Sequence, residues 1–315
     1  MAEGRPAKAT VRDKWMSMLE NDFPERDPNR IFYATLAGGN AEDIKLMRDR
    51  GMLGAAPNGA IPDEDEKTVV VIESGLNNVA KVRRDWPGLN VIHSTVQSLV
   101  GGAEDPVSFP HRKNRAAVSA RFINLDFNSS LSLDFVNGAF AHPQLEIVRK
   151  LAGIQRAQNG ASPWTLFLTL QGEIRWTSAT QVQVLSYLND NRVESTAFKE
   201  VSDRYLSQPT RQLVETGLGS NDLEHLPRPD QQRLICTLVP KRIALAAATL
   251  GWRVHTRANW QYGGANGAAP MCTWIFEFEY DTRSDRNPNA VYLDSLATIL
   301  DEGGVIKDDG SFSEA

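Results

Sequence analysis

Two kinds of residue in this sequence stand where chemistry could be done. The first is a glycine pair. In "IFYATLAGGNAED", Ile31 to Asp43, an apolar run of strand length leads through Ala37 into Gly38-Gly39 and on to a helix opened by Asn40, Glu42 and Asp43. Adjacent glycines let backbone pass close to a bound group, because no Cβ stands in the way. A strand–glycine–helix turn of this kind commonly cradles a cofactor, although the three spaced glycines of a dinucleotide site are missing. The second kind is a polar group ending an apolar run. Glu73 closes "VVVIES", and Asp126 and Asn128 lie in "ARFINLDFNSS". A carboxylate has two acceptor oxygens, and at the end of a strand it can bind a donor or take a proton. Each has a plainer reading. The glycines make an ordinary tight turn, Glu73 a solvent-facing strand end, and Asp126 with Asn128 a local cap.

Other chemistries lack their usual signatures. The five histidines, His93, His111, His142, His225 and His255, form no metal-binding spacing. There is no nucleophile-elbow serine motif and no GxxxxGK[ST] phosphate loop. The two cysteines, Cys236 and Cys272, cannot make a disulfide framework. Together with the absence of an apolar leader, they point to a reducing cytoplasm. No apolar run has the roughly 18 residues of a membrane span. The formal net charge is -5, opposite to that of a protein held to nucleic acid by bulk charge. "KVRRDW", "HRKNR" and "PKR" read as solvated faces, with "HRKNR" close enough to the fourth strand to keep a nucleic-acid substrate open. Trp252, Trp260 and Trp274 read as core or interface.

The elements that must position these residues follow from periodicity. Residues 12 to 22 read as a helix with Trp15, Met18 and Leu19 on one face. Strands are expected at Ile31–Leu36, in "TVVVIES", in "LNVIHS", in "ARFINLDFNSS" ending at Asp126, and in "WTLFLTLQG". Helices separate them, capped by Asn40 in the first case, with loops over "GAAPNGAIPDEDEK" and "VQSLVGGAEDPVSFPHRKNR". That alternation predicts a parallel sheet with crossover connections. Helical pattern covers 179 to 206, a polar stretch runs from about Gln208 to Asp230, and "QQRLICTLVPKRIALAAATL" is a helix with Pro240 inside it. "WRVHTRANWQY" and "MCTWIFEFEYD", joined by "GGANGAAP", form an antiparallel hairpin. The tail after Gly303 reads as frayed.

Five strand–helix units, a late helix, a Gly-aromatic junction at Gly251-Trp252 and a terminal hairpin resemble the class I, Rossmann-like S-adenosylmethionine-dependent methyltransferases, over roughly Ile31 to Asp281. The resemblance implies an α/β, doubly wound, mostly parallel seven-stranded sheet with an antiparallel C-terminal β-hairpin. It places Ala37, Gly38, Gly39 and Asn40 against the methionine part of S-adenosylmethionine. Glu73, with Ser74 beside it, falls on the ribose hydroxyls, and Gln97 and Ser98, after Val96, on the adenine. Asp126 and Asn128 face the transferred methyl, in a segment distantly similar to the Asp/Asn-Pro-Pro-Tyr/Phe motif but without its prolines. Thr35 or Leu36 stands where the family carries an acid before its glycines. The expected organisation is an N-terminal helical segment over 1–30, a methyltransferase-like domain over 31–281 with a helical insertion at about 177–230, and a C-terminal helix and tail over 282–315. The expected activity is methyl transfer to an unidentified acceptor: small molecule, protein or nucleic acid. The alternative is a catalytically inactive subunit or interaction module, and the aromatic hairpin leaves a homo-oligomer open. A nicotinamide oxidoreductase is disfavoured by the two-glycine loop and the antiparallel last strand.

Overall fold

The structure is a computed structural model. It describes residues 6–27, 29–54, 59–62, 65, 68–104, 116–132, 134–136, 139–141, 143–175, 178–216, 223–263, 270–281, 288–302, 304–307, 309 and 311–314. The "HRKNR" run, most of "GGANGAAP", half of the acidic loop and the side chain of Asn128 lie outside the described residues.

The chain has an α/β, Rossmann-like fold. Nine strands hydrogen-bond in the order β11-β10-β8-β9-β7-β4-β1-β2-β3, and β5 (Asp134–Val136) and β6 (Ala139–Ala141) form a separate hairpin. Two compact units can be distinguished: residues 9–126 with 150–167, and residues 1–8, 127–149 and 168–315.

The first unit holds β1 (Tyr33–Thr35), β2 (Val69–Glu73), β3 (Asn90–His93) and the starts of β4 (Phe122–Ser132) and β7 (Trp164–Arg175). β1 pairs in parallel with both β2 and β4, and β2 with β3. Val69 to Ile72 are all buried, as a strand covered on both faces requires. The crossovers are α2 (Glu42–Asp49), α3 (Leu76–Asp85) and α4 (Val96–Glu104). α4 corrects the expectation of a loop after the third strand. Its two glycines weaken the helical signal, but Val96, Leu99 and Val100 recur at helical spacing and are buried. α1 (Pro6–Asp22) buries Val11, Trp15, Met16 and Leu19, so Met16 takes the inward place expected of Met18. Trp15 stacks on Phe167, which stacks on Phe122. This ring series carries α1 against the sheet, and burying such rings supplies a large share of core stability.

The second unit carries the hairpin. β8 (Trp252–Tyr262) runs antiparallel to β9 (Met271–Tyr280), and β9 lies between β7 and β8. Beyond β8 lie β10 (Gly304–Ile306), parallel to it, and β11 (Phe312–Glu314). Seven strands therefore become nine, and the tail expected to fray completes the sheet edge instead. Val305 and Ile306 are short of a recognisable strand pattern, but pairing with β8 satisfies their backbone. The helices are α5 (Pro143–Asn159), shared between the units, then α6 (Ser178–Glu194), α7 (Thr196–Tyr205), α8 (Gln208–Thr216), α9 (Arg228–Ala248) and α10 (Pro288–Glu302). Ser195 splits the long helical pattern, its hydroxyl accepting from the Phe198 amide at 3.1 Å to cap α7. α8 occupies part of the stretch read as polar loop. α9 runs through Pro240 as one helix, wholly buried along Leu234–Pro240.

Candidate functional site

The first unit brings most of the expected site residues together at the carboxyl ends of β1 and β2. Gly38 adopts φ +61, a left-handed conformation suited to glycine, and Ala41 adopts φ 46 just before α2. Asn40 does not cap that helix. Ala41 holds the cap position, and the Asn40 amide oxygen accepts from Lys81 Nζ. Gly39 has a close neighbour of its own. A Cβ there would stand 2.5 Å from Asn78 Oδ1 of α3. The same Asn78 amide lies 3.4 Å from the Cβ position of Gly75, and Glu73 Oε1 lies 3.3 Å from it. Gly39, Asn78, Gly75 and Glu73 thus form one continuous surface.

Glu73 is half-buried at the end of β2, and its Oε1 accepts from the Gly75 amide at 2.8 Å. That bond aims the carboxylate along the turn instead of letting it trail into solvent. Its register partner is His93, whose Nε2 donates to the Ser74 carbonyl at 3.0 Å. A carbonyl only accepts, so Nε2 carries a proton. Gln97 and Ser98 are exposed on the first turn of α4. Thr95 Oγ1 accepts from the Ser98 amide and donates to the Ser98 hydroxyl at 2.9 Å, so Ser98 belongs to the helix start.

Asp126 is half-buried on β4. The strand continues past it to Ser132, so Asp126 and Asn128 lie within β4 instead of at its end. Nothing in the alternation of "FINLDFNSSLS" marks a stop, and polar strand residues next to a loop are ambiguous from sequence.

Beneath the glycine loop lies a buried polar cluster that the sequence reading missed. Asp43, 3% exposed, turns inward from the first turn of α2. Its Oδ2 accepts from Tyr33 Oη at 2.7 Å, Thr35 Oγ1 at 2.8 Å and Asn124 Nδ2 at 2.8 Å. Its Oδ1 accepts from Arg12 Nε at 2.6 Å, delivered by α1. Register builds this cluster: Tyr33 and Thr35 are two apart on β1, and Asn124 is the partner of Thr35 on β4. Burial alone would lower the Arg12 pKa, but Asp43, with a contribution from Asp126, raises it. Tyr33 is pushed well above its ordinary value, first by burial and then by Asp43. The helix N-terminus also favours a carboxylate here. Polar residues at positions 33, 35 and 124 inside apolar strands were the available signal. Among the described residues, no three histidines, cysteines or acids are grouped to hold a metal ion, and no helix is long and apolar enough to cross a membrane.

No family model and no curated protein matches the chain. A solved structure from Rhodobacter sphaeroides, described as a proposed Zn-dependent alcohol dehydrogenase, aligns with 84% of this chain and 90% of that one, at 10% identity and a TM-score of 0.31. A likeness that slight carries no argument about function.

Proposed function

We propose that the chain is an S-adenosylmethionine-dependent methyltransferase acting on an acceptor yet to be identified. The observation that carries this reading is the continuous surface from Gly39 through Asn78 and Gly75 to the fixed carboxylate of Glu73. The sheet supports it, because the antiparallel β9 lies between β7 and β8, in keeping with the antiparallel last strand that the resemblance implies. In this reading Gly38 and Gly39 let backbone approach the methionine part of the cofactor, and Glu73 accepts from both ribose hydroxyls. The bound sulfonium supplies an electrophilic methyl group. Asp126 orients the acceptor and takes its proton, and most of the acceleration comes from alignment of the two reactants.

One observation favours the alternative, a methyltransferase-fold subunit without activity. Asp43 fills the place next to Thr35 where an acid would serve the cofactor, and its oxygens are already taken by four donors.

Calorimetric titration with S-adenosylmethionine and S-adenosylhomocysteine separates the two. Micromolar binding that Glu73→Ala removes supports the enzyme. No heat from folded protein with either ligand overturns it and leaves the subunit reading.

A further inference from the structure

The opposite end of the first unit holds a cavity of about 400 Å³, at the amino-terminal ends of β1, β4 and β7. Small-molecule sites span roughly 300–1,000 Å³, so its size admits a small ligand. It is distinct from the glycine loop, which follows the carboxyl end of β1. Ile31 and Phe32 give it an apolar floor, and both are buried.

Its charged lining is balanced: Arg26, Arg30 and Arg121 against Asp22, Glu25 and Asp27. Several of these groups are held in place. Gln155, wholly buried, donates to the Ala120 carbonyl at 2.8 Å and accepts from Asn159 Nδ2 at 2.6 Å. Asn159 Nδ2 also reaches the Ser119 carbonyl at 2.7 Å. Both amide hydrogens being committed, Asn159 turns its oxygen toward Arg30, which donates to it. Arg121 donates to the Pro163 carbonyl and pairs with Asp22 at 3.2 Å, lying over the Phe122 ring. Arg26 is taken by Asp65 and the Phe23 carbonyl. That leaves donors of Arg30 and Arg121, and the Glu25 carboxylate, with no hydrogen-bond partner among the described residues.

We propose that this cavity binds a small zwitterion of the α-amino-acid type. The carboxylate sits on the guanidinium groups of Arg30 and Arg121, and the ammonium meets Glu25 and Asp27. A planar guanidinium suits a carboxylate because two parallel N–H groups match its two oxygens. A bare anion would meet the carboxylates of Glu25 and Asp27, and a bare cation the guanidinium groups of Arg30 and Arg121. A ligand carrying both charges satisfies both sets, and the held guanidinium groups of Arg30 and Arg121 reduce the ordering cost of binding.

The test follows backbone amide signals at 119–121 and 159–162 by NMR during titration with the standard α-amino acids, and with acetate, ethylammonium and inorganic phosphate as single-charge probes. Saturable shifts with an amino acid, weakened about tenfold or more both in Arg30→Gln and in Glu25→Gln, support the proposal. Both residues lie at the surface, so the variants retain the fold, which unchanged spectra elsewhere establish. Phosphate, acetate or ethylammonium binding as tightly as any amino acid overturns it, as does the absence of saturable shifts across the panel. The result is independent of whether S-adenosylmethionine binds at Glu73.

Discussion

Replacing Asp43 by Asn keeps the shape of the side chain and removes its charge. The Arg12 side chain, 15% exposed, then loses its hydrogen-bonded carboxylate partner and keeps only the weaker influence of the Asp126 charge. Removing one member of a buried ion pair costs about 3–5 kcal/mol, because the other stays uncompensated. Three further donors, Tyr33, Thr35 and Asn124, lose a charged acceptor. Hydrogen bonds to charged groups contribute about 1.5–3 kcal/mol each, but the four share one carboxylate and do not add. A total near 4 kcal/mol is expected. For a urea slope of about 3 kcal/mol/M, the midpoint falls by about 1.3 M. Arg12→Met supplies the second leg of a cycle. It leaves the Asp43 carboxylate with three neutral donors, and the double variant strands neither charge. The double variant is therefore expected to lose about 1 kcal/mol less than the sum of the two single losses, within the range of roughly 0.5–3 kcal/mol seen for contacting pairs. Urea unfolding of all four proteins by intrinsic fluorescence gives these numbers. An Asp43→Asn cost below about 1 kcal/mol, or strict additivity, refutes the claim that this pair anchors α1 to the sheet.

Gly39→Ala and Gly88→Ala separate two sorts of close approach. At Gly39 the new methyl meets the free end of Asn78, which can swing aside, so unfolding free energy falls by less than about 1 kcal/mol. At Gly88, with φ +84, it meets the Ile61 backbone carbonyl at 2.6 Å, and a loss of about 1–3 kcal/mol is expected. Equal losses would refute the distinction. The fold should also fail in alkali. Burial raises the pKa of Tyr33, Tyr205 and Tyr292, so each contributes stability that is complete below the unfolded value near pH 10 and is lost as pH rises toward the folded one. Tyr292→Phe should flatten that decline, as read by circular dichroism across an alkaline titration. An unchanged slope would show that Tyr292 ionises alike in both states.

The sequence made the parallel half of the sheet legible because its strands are buried on both faces and read as unbroken apolar runs, Val69 to Ile72 above all. The hairpin was equally legible, since two long aromatic-rich runs flank a glycine-rich turn. What stayed hidden depends on contacts between distant residues. Asp43 reads from sequence as a first-turn acid facing water, and only the register of β1 against β4 turns it inward. Asn78 is an exposed residue of α3, and the turn at Gly75 sets its amide beside Gly39. β10 and β11 are too short to announce themselves; β11 pairs with β10, and β10 pairs with β8, over forty residues away in the chain.

These hidden contacts also decide which carboxylate can serve a ligand. A carboxylate has roughly four acceptor positions. Asp43 uses them on four donors, all from the protein, and its burial bars a fifth. It holds α1, α2, β1 and β4 in register, and asking it to bind a cation as well would mean breaking one of those bonds. Glu73 stands otherwise. A single amide donor, Gly75, is bound among the described residues, and the side chain is only half-buried. It is oriented but not saturated, the condition a binding group needs, since orientation lowers the ordering cost and spare lone pairs supply the contact. The same physical accounting explains why an acid can be absent before the glycines without emptying that corner of the fold. Thr35 keeps a hydroxyl there, Asp43 returns the charge from α2, and Arg12 neutralises it. The loop is thereby supported from below by the protein's own groups, and any cofactor it takes must be held from the Glu73 side.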